Sequence, residues 1–246
     1  MNGAGMSSPT VVLVHGAFAD ASGWNGVIER LQAEGVQVSA PANPLRGIAA
    51  DSAYVAAVLA QIDGPVVAVG HSYGGAVITN AATDNVVGLV YVSAFAPDEG
   101  ETLGSVEAGS KDSVLSSALV PRHFPVADGG SATEFSIDPA KVRDAFAGDL
   151  SEQDAALIAA TQRPVAEAAF SEPNGPPAWK HIPSWAVVAS GDKAAGADVV
   201  RSMAERAGAR ITEVDGSHVI MVSQPQAVTD VILEAVAAAA SAPLGA

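Results

Sequence analysis

Residues 66–76, "VVAVGHSYGGA", set Ser72 two places from Gly70 on one side and from Gly74 on the other. A serine hydroxyl becomes a nucleophile when a base takes its proton and its Oγ stands clear of the backbone. Glycine two residues before and after is what such a serine needs. It must sit on a sharp, strained strand-to-helix turn, where strand and helix crowd together and larger side chains would collide. Gly75 and Ala76 extend the allowance, and the N-terminus of the following helix favours negative charge at the site. A bare G-x-S-x-G match is weak, and a helix-capping serine in a glycine-rich turn would produce it too. This one ends an apolar strand run and opens a helix, so Ser72 is read as a nucleophile.

The nearest histidine is not its base. Consecutive side chains at a strand end point to opposite faces, so His71 should face away from Ser72 Oγ, whereas a base must come within about 3 Å. The chain has five histidines. His15 ends the first strand and should brace the loop there, while His123 and His181 lie in or beside a long insertion. His218, in "VDGSHVIMVSQP" just past the last strand, is left as the base. Its imidazole needs a carboxylate to fix the tautomer. Asp192 ("VVASGDKAAG") and Asp98 ("SAFAPDEGE") both follow strand ends, and either gives the order Ser–Asp–His. Asp192 follows the neighbouring strand and has the shorter reach; Asp98 is read as a solvated hinge residue. An oxyanion requires two N–H donors. The backbone of Tyr73 should supply one, and the loop "HGAFAD" the other, from Ala17 with Phe18 second.

These residues need a scaffold that brings distant loops to one edge. Strands are read at 10–16, 36–41, 65–70, 86–95, 184–190 and 209–215, and helices at 23–34, 51–62, 73–82, 197–207 and 225–240. The alternation predicts an α/β fold with a parallel sheet covered by helices on both faces, and a site at the strands' carboxyl ends. Between 97 and 183 the rhythm breaks into loops, prolines and helix-like pieces near 139–147 and 151–169. The expected organisation is a core of 1–96 and 184–246, with 97–183 inserted as a helical lid over the site. The tail "SAPLGA" reads as frayed.

Composition narrows the partners. The chain has 246 residues, 49% hydrophobic and 16% charged, enough for one core and unlike a disordered chain. A formal net charge of −15 with no basic cluster argues against nucleic acid. No apolar run reaches the roughly 18–20 residues of a membrane span, and the N-terminus has no basic n-region or h-region. The absence of cysteine removes disulfides and thiol chemistry. A cytoplasmic monomer or homodimer is expected, with no membrane partner.

With "VLVHGAFADASGW", "GHSYGG", "APDEGE" and "SHVIMVSQP" in place, the chain resembles the α/β-hydrolase superfamily over essentially its whole length. It is most similar to small bacterial cofactor-free esterases and hydrolases. The resemblance implies a six-stranded sheet without the family's first two strands, and a Gly-x-Asp-like turn supplying the acid, matching Asp192. It also implies an acyl-enzyme mechanism on a small-molecule carboxylic ester, with no metal and no organic cofactor. "GDKAAG" departs from the bulkier segment often found after the acid. Hydroxynitrile lyases of the same branch resemble a pattern with a threonine and a lysine where this chain has Gly16 and Val219, which reads as esterase-like. A ligand receptor, a perhydrolase and a cofactor-free oxygenase are the other readings the fold admits. Phe18, Phe124, Phe146 and Trp179 are the expected substrate-binding residues, among a wider apolar set of Phe135, Leu150, Leu157, Ile158 and Phe170.

Overall fold

A strand that is apolar at every position has to be covered on both faces. In the computed structural model, which describes residues 8–241, the central strands are. The first half of the chain runs β1 (Thr10–Val14), α1 (Asn25–Ala33), β2 (Val38–Ser39), α2 (Ile48–Leu59), β3 (Val66–His71), α3 (Tyr73–Ala81) and β4 (Val86–Val92). The segment expected as an insertion follows, with α4 (Leu103–Ala108), β5 (Leu119–Pro125), β6 (Ser131–Ile137), α5 (Val142–Ala145), α6 (Glu152–Thr161), β7 (Val165–Ala166) and α7 (Ala168–Ser171). The core elements then resume as β8 (Ser184–Ala189), α8 (Ala197–Arg206), β9 (Arg210–Val214), α9 (Ile220–Ser223) and α10 (Pro225–Ser241).

Six strands form one sheet in the order β2-β1-β3-β4-β8-β9, every neighbouring pair parallel. Alternate residues of each strand enter different cores, as a two-residue period requires. Val11, Leu13, Val67 and Val69 pack with Leu31 of α1 and with Val228 and Ile232 of α10. Val12, Val14 and Ala68 pack on the other face with Val55 of α2 and with Val77 and Ile78 of α3. Each such side chain contributes about 1.5–3 kcal/mol on burial. Trp24 is fully buried in the first of these cores, so it is a core residue and not a pocket wall.

The segment 97–183, expected to hold loops and helical pieces with no strand, also carries strands. A second, three-stranded sheet, β5-β6-β7, occupies part of that segment, all antiparallel. Pro121 and Pro125 are tolerated because β5 lies at the sheet's edge, where no further strand asks for their missing N–H. The hairpin turns through Val126–Gly130, with Gly129 at φ +84°. The helix expected over 151–169 ends at Thr161, ahead of Pro164 and β7. β2 is likewise only two residues long, against six expected. The frayed tail is expected at positions that, past Ser241, lie outside the described residues. No helix among the described residues is long and apolar enough to cross a membrane.

Candidate active site

Ser72 joins β3 to α3 with φ +53° and ψ −123°, a conformation L residues rarely adopt. Sterics explain the glycines around it. A Cβ on Gly70 would lie 2.5 Å from the Gly74 carbonyl oxygen, and one on Gly74 would run into the carbonyls of Val14 and His15. Gly16, after β1, approaches from the other side: a Cβ there would lie 2.7 Å from Ser72 Cβ. The "HGAF" turn is therefore packed directly against the serine. Neither the N–H of Ala17 nor that of Tyr73 has a hydrogen-bond partner among the described residues. Phe18, next in that turn, is held at φ +60° and is buried.

His218 follows β9 and is 1% exposed, as is Asp192 after β8. Asp192 Oδ2 lies 2.8 Å from His218 Nδ1, so Nδ1–H donates to the carboxylate and Nε2 is left unprotonated in the neutral ring. The other carboxylate oxygen accepts from the N–H groups of Ala194 and Ala195 at 2.9 and 3.0 Å. The "KAAG" segment thus wraps the acid with backbone amides, which is what its small residues permit. Asp98, the alternative acid, instead pairs with Lys180 Nζ at 2.7 Å.

His71 is fully buried, and its Nε2–H donates to the backbone carbonyl of His218 at 2.9 Å. Its ring centroid is 4.7 Å from that of His218. Burial, reinforced by the neighbouring His218, holds His71 well below the usual histidine range. His15 braces its loop as expected: Nδ1–H donates to the Gly16 carbonyl and Nε2 accepts from Asn43 N–H, both at 2.9 Å. Burial also lowers its pKa, opposed by the bond to Gly16. His123 and His181 are exposed. The Tyr73 hydroxyl donates to buried Asp51 at 2.7 Å, tying the start of α3 to α2.

Of the expected pocket residues, Phe146 lies at the imidazole and Phe18 packs against Phe146. Phe146 lies 5.0 Å from the His218 ring and 6.2 Å from Phe18, edge to face. Phe124 does not join them; it packs beneath the Arg46 guanidinium, 4.5 Å from its centroid. Nor does Trp179, whose Nε1–H donates to the Pro97 carbonyl at 3.1 Å. Phe135 and Phe170 line a separate cavity of about 590 Å³ with Leu119 and Glu107. Burial pushes the Glu107 carboxyl up, opposed by the Ser113 hydroxyl and by the nearby His218. Ile158 borders a small hollow with Phe18 and Phe146, and Leu157 is exposed. No group of side chains able to hold a metal ion occurs among the described residues.

The doubly covered parallel sheet, with a strained serine at the β3–α3 junction, defines a hydrolase scaffold, and the chain belongs to the alpha/beta hydrolase family, whose model matches residues 11–231. Solved structures with the same fold include polyneuridine aldehyde esterase, at TM-score 0.78 and 21% identity over 93% of this chain and 99% of that one. A pyrethroid hydrolase from Sphingobium faniae JZ-2 aligns at TM-score 0.75 and 21% identity, covering 94% and 98%. The methylesterase MES16 from Arabidopsis aligns at 0.76 and 20%, covering 93% and 99%. No curated protein matches the sequence.

Proposed function

We propose that this protein is a serine esterase acting on a neutral, largely apolar small-molecule ester through an acyl-enzyme on Ser72. The observation that carries the reading is the buried Asp192–His218 pair, which commits Nδ1–H to the carboxylate and leaves Nε2 free to take a proton. In this mechanism His218 removes the Ser72 proton as Oγ attacks the ester carbonyl. The N–H groups of Ala17 and Tyr73 receive the oxyanion. The imidazolium, stabilised by Asp192, protonates the leaving alcohol, and water then releases the acyl group with His218 again as base. Phe18 and Phe146 exclude water beside the imidazole. Segment 97–183 acts as the lid that shapes the pocket, Phe146 being its contribution at the base.

Structures of the same fold that are named as an esterase, a pyrethroid hydrolase and a methylesterase support ester cleavage as the reaction class. The test is fluorophosphonate labelling of the wild type and of Ser72→Ala, followed by a panel of p-nitrophenyl esters from short to long acyl chains. Labelling confined to the wild type, with turnover of at least one ester, is expected. Labelling that survives in Ser72→Ala overturns the nucleophile. Labelling without any turnover points instead to a ligand-binding protein on this scaffold.

A further inference from the structure

The loop that carries His218 is held from the core side by three bonds. His71 Nε2–H reaches the His218 carbonyl at 2.9 Å, Asp192 holds Nδ1, and Gly191 N–H donates to the Gly216 carbonyl at 2.9 Å. Its outer side is covered by the 97–183 segment, with a cavity between the two. That cavity, of about 440 Å³, is bordered by Gly148, Lys193, Gly216, Ser217 and His218. From the 97–183 segment, the Asp149 side chain reaches the residue before the base. Asp149 is exposed, yet one of its oxygens accepts the hydroxyl proton of buried Ser217, the residue before His218. Its other oxygen lies 2.7 Å from where a Cβ on Gly216 would stand, so the turn before the base is fitted around this carboxylate. Burial opposes ionisation of Asp149, but the hydrogen bonding around it, led by the Ser217 hydroxyl, outweighs this and holds the carboxyl below its usual range. Three residues earlier the same segment lays Phe146 against the imidazole.

We propose that Asp149 is a positioning residue. Through Ser217 it fixes the outer side of the base loop, so that the segment covering the site also sets where His218 sits. The inference rests on His218 being the base. Small displacements of a catalytic group cost large factors in rate, about 100-fold for 1 Å, while substrate affinity is carried by other residues. The carboxylate acts on the outer edge of a loop otherwise held from within, so a smaller factor is expected.

Turnover of a short-chain p-nitrophenyl ester tests this in Asp149→Ala, Ser217→Ala, the double variant and Asp149→Asn, beside His218→Ala. Each of the two alanine variants should lose about tenfold in kcat with KM within about twofold. The double variant should fall no further than Asp149→Ala, because the Ser217 hydroxyl bond is already lost in that change. Asp149→Asn keeps an acceptor for Ser217 and should recover most of the rate. A kcat within about twofold of wild type in Asp149→Ala, or losses that multiply in the double variant, overturns the proposal. Should Asp149→Ala not fold, Ser217→Ala with Asp149→Asn carries the same comparison. Turnover surviving in His218→Ala overturns the base itself; its loss there, with Asp149→Ala unchanged, overturns only the role of Asp149.

Discussion

Two of the four non-glycine residues with positive φ among the described residues, Ser72 and Phe18, flank the same spot beside Gly16. Each such conformation costs of order 1–3 kcal/mol and persists only where the surroundings over-determine it. Here the crowding of β1, β3 and α3 does so for Ser72. The catalytic assignment then turns on which carboxylate serves His218, and the two aspartates differ in kind. Asp192 is buried, takes two backbone N–H bonds and meets Nδ1; Asp98 meets Lys180 and the Glu99 N–H. Asp192→Asn should therefore cut kcat by about 10⁴-fold, as an amide presents the wrong group to Nδ1–H. Asp98→Asn should stay within about threefold, since an exposed ion pair contributes little. Steady-state kinetics on both variants decide it, and a dead Asp98→Asn beside an active Asp192→Asn would reverse the assignment. The strained Ser72 turn and the Asp192–His218 pair were legible because glycine spacing and the positions of strand ends constrain them. Asp149 was not: it is one of 27 acidic residues, and its partner lies 68 positions away.

At the scale of elements, the junction of β3 with α3 depends on an approach of α3 to β1 close enough to exclude a methyl group. In Gly74→Ala the new Cβ would meet the backbone carbonyls of Val14 and His15, neither of which can swing aside as a side chain would. The substitution should cost about 3 kcal/mol or more, read as a drop in the urea midpoint at unchanged m-value. An unaltered midpoint would mean that α3 does not sit against β1 in this way. The same packing made the core strands readable, since being buried on both faces leaves continuous apolar runs. The outlying hairpin escaped for the opposite reason. β5 is largely exposed and carries two prolines, so neither apolar continuity nor strand propensity marks it. Its one signal was the "ADGG" turn, where Gly129 takes the positive φ a tight hairpin needs.

Across the whole molecule, His15 and His71 are both buried in the neutral form, and the stability of the fold should register this in a defined pH window. Each titrates near 6.5 when the chain is unfolded and lower when it is folded. Between those values the unfolded chain binds more protons than the native one, so unfolding free energy must fall as pH falls. The loss begins near pH 6.5 and continues to the lowered native values. Two other terms act elsewhere on the scale. Carboxylates held low, such as Asp149 and Glu101, shed their stabilisation only as they protonate, below about pH 4.5. Self-repulsion from the net charge of −15 has the opposite sign, easing as carboxylates protonate, and is screened within about 8 Å at 0.15 M salt. Calorimetric unfolding at that ionic strength, at pH 7.5 and 5.5 in buffers of different ionisation enthalpy, reads the histidines against the opposite contribution of Glu107, whose carboxyl burial pushes up. A lower melting temperature at pH 5.5 is expected, with net proton uptake on unfolding led by His71 and joined by His15. Unfolding at pH 5.5 without proton uptake would mean that these rings are already charged in the native state. His71 would then keep its Nε2–H bond to the His218 carbonyl, but it would hold a buried positive charge 4.7 Å from the imidazole that the proposed mechanism makes cationic.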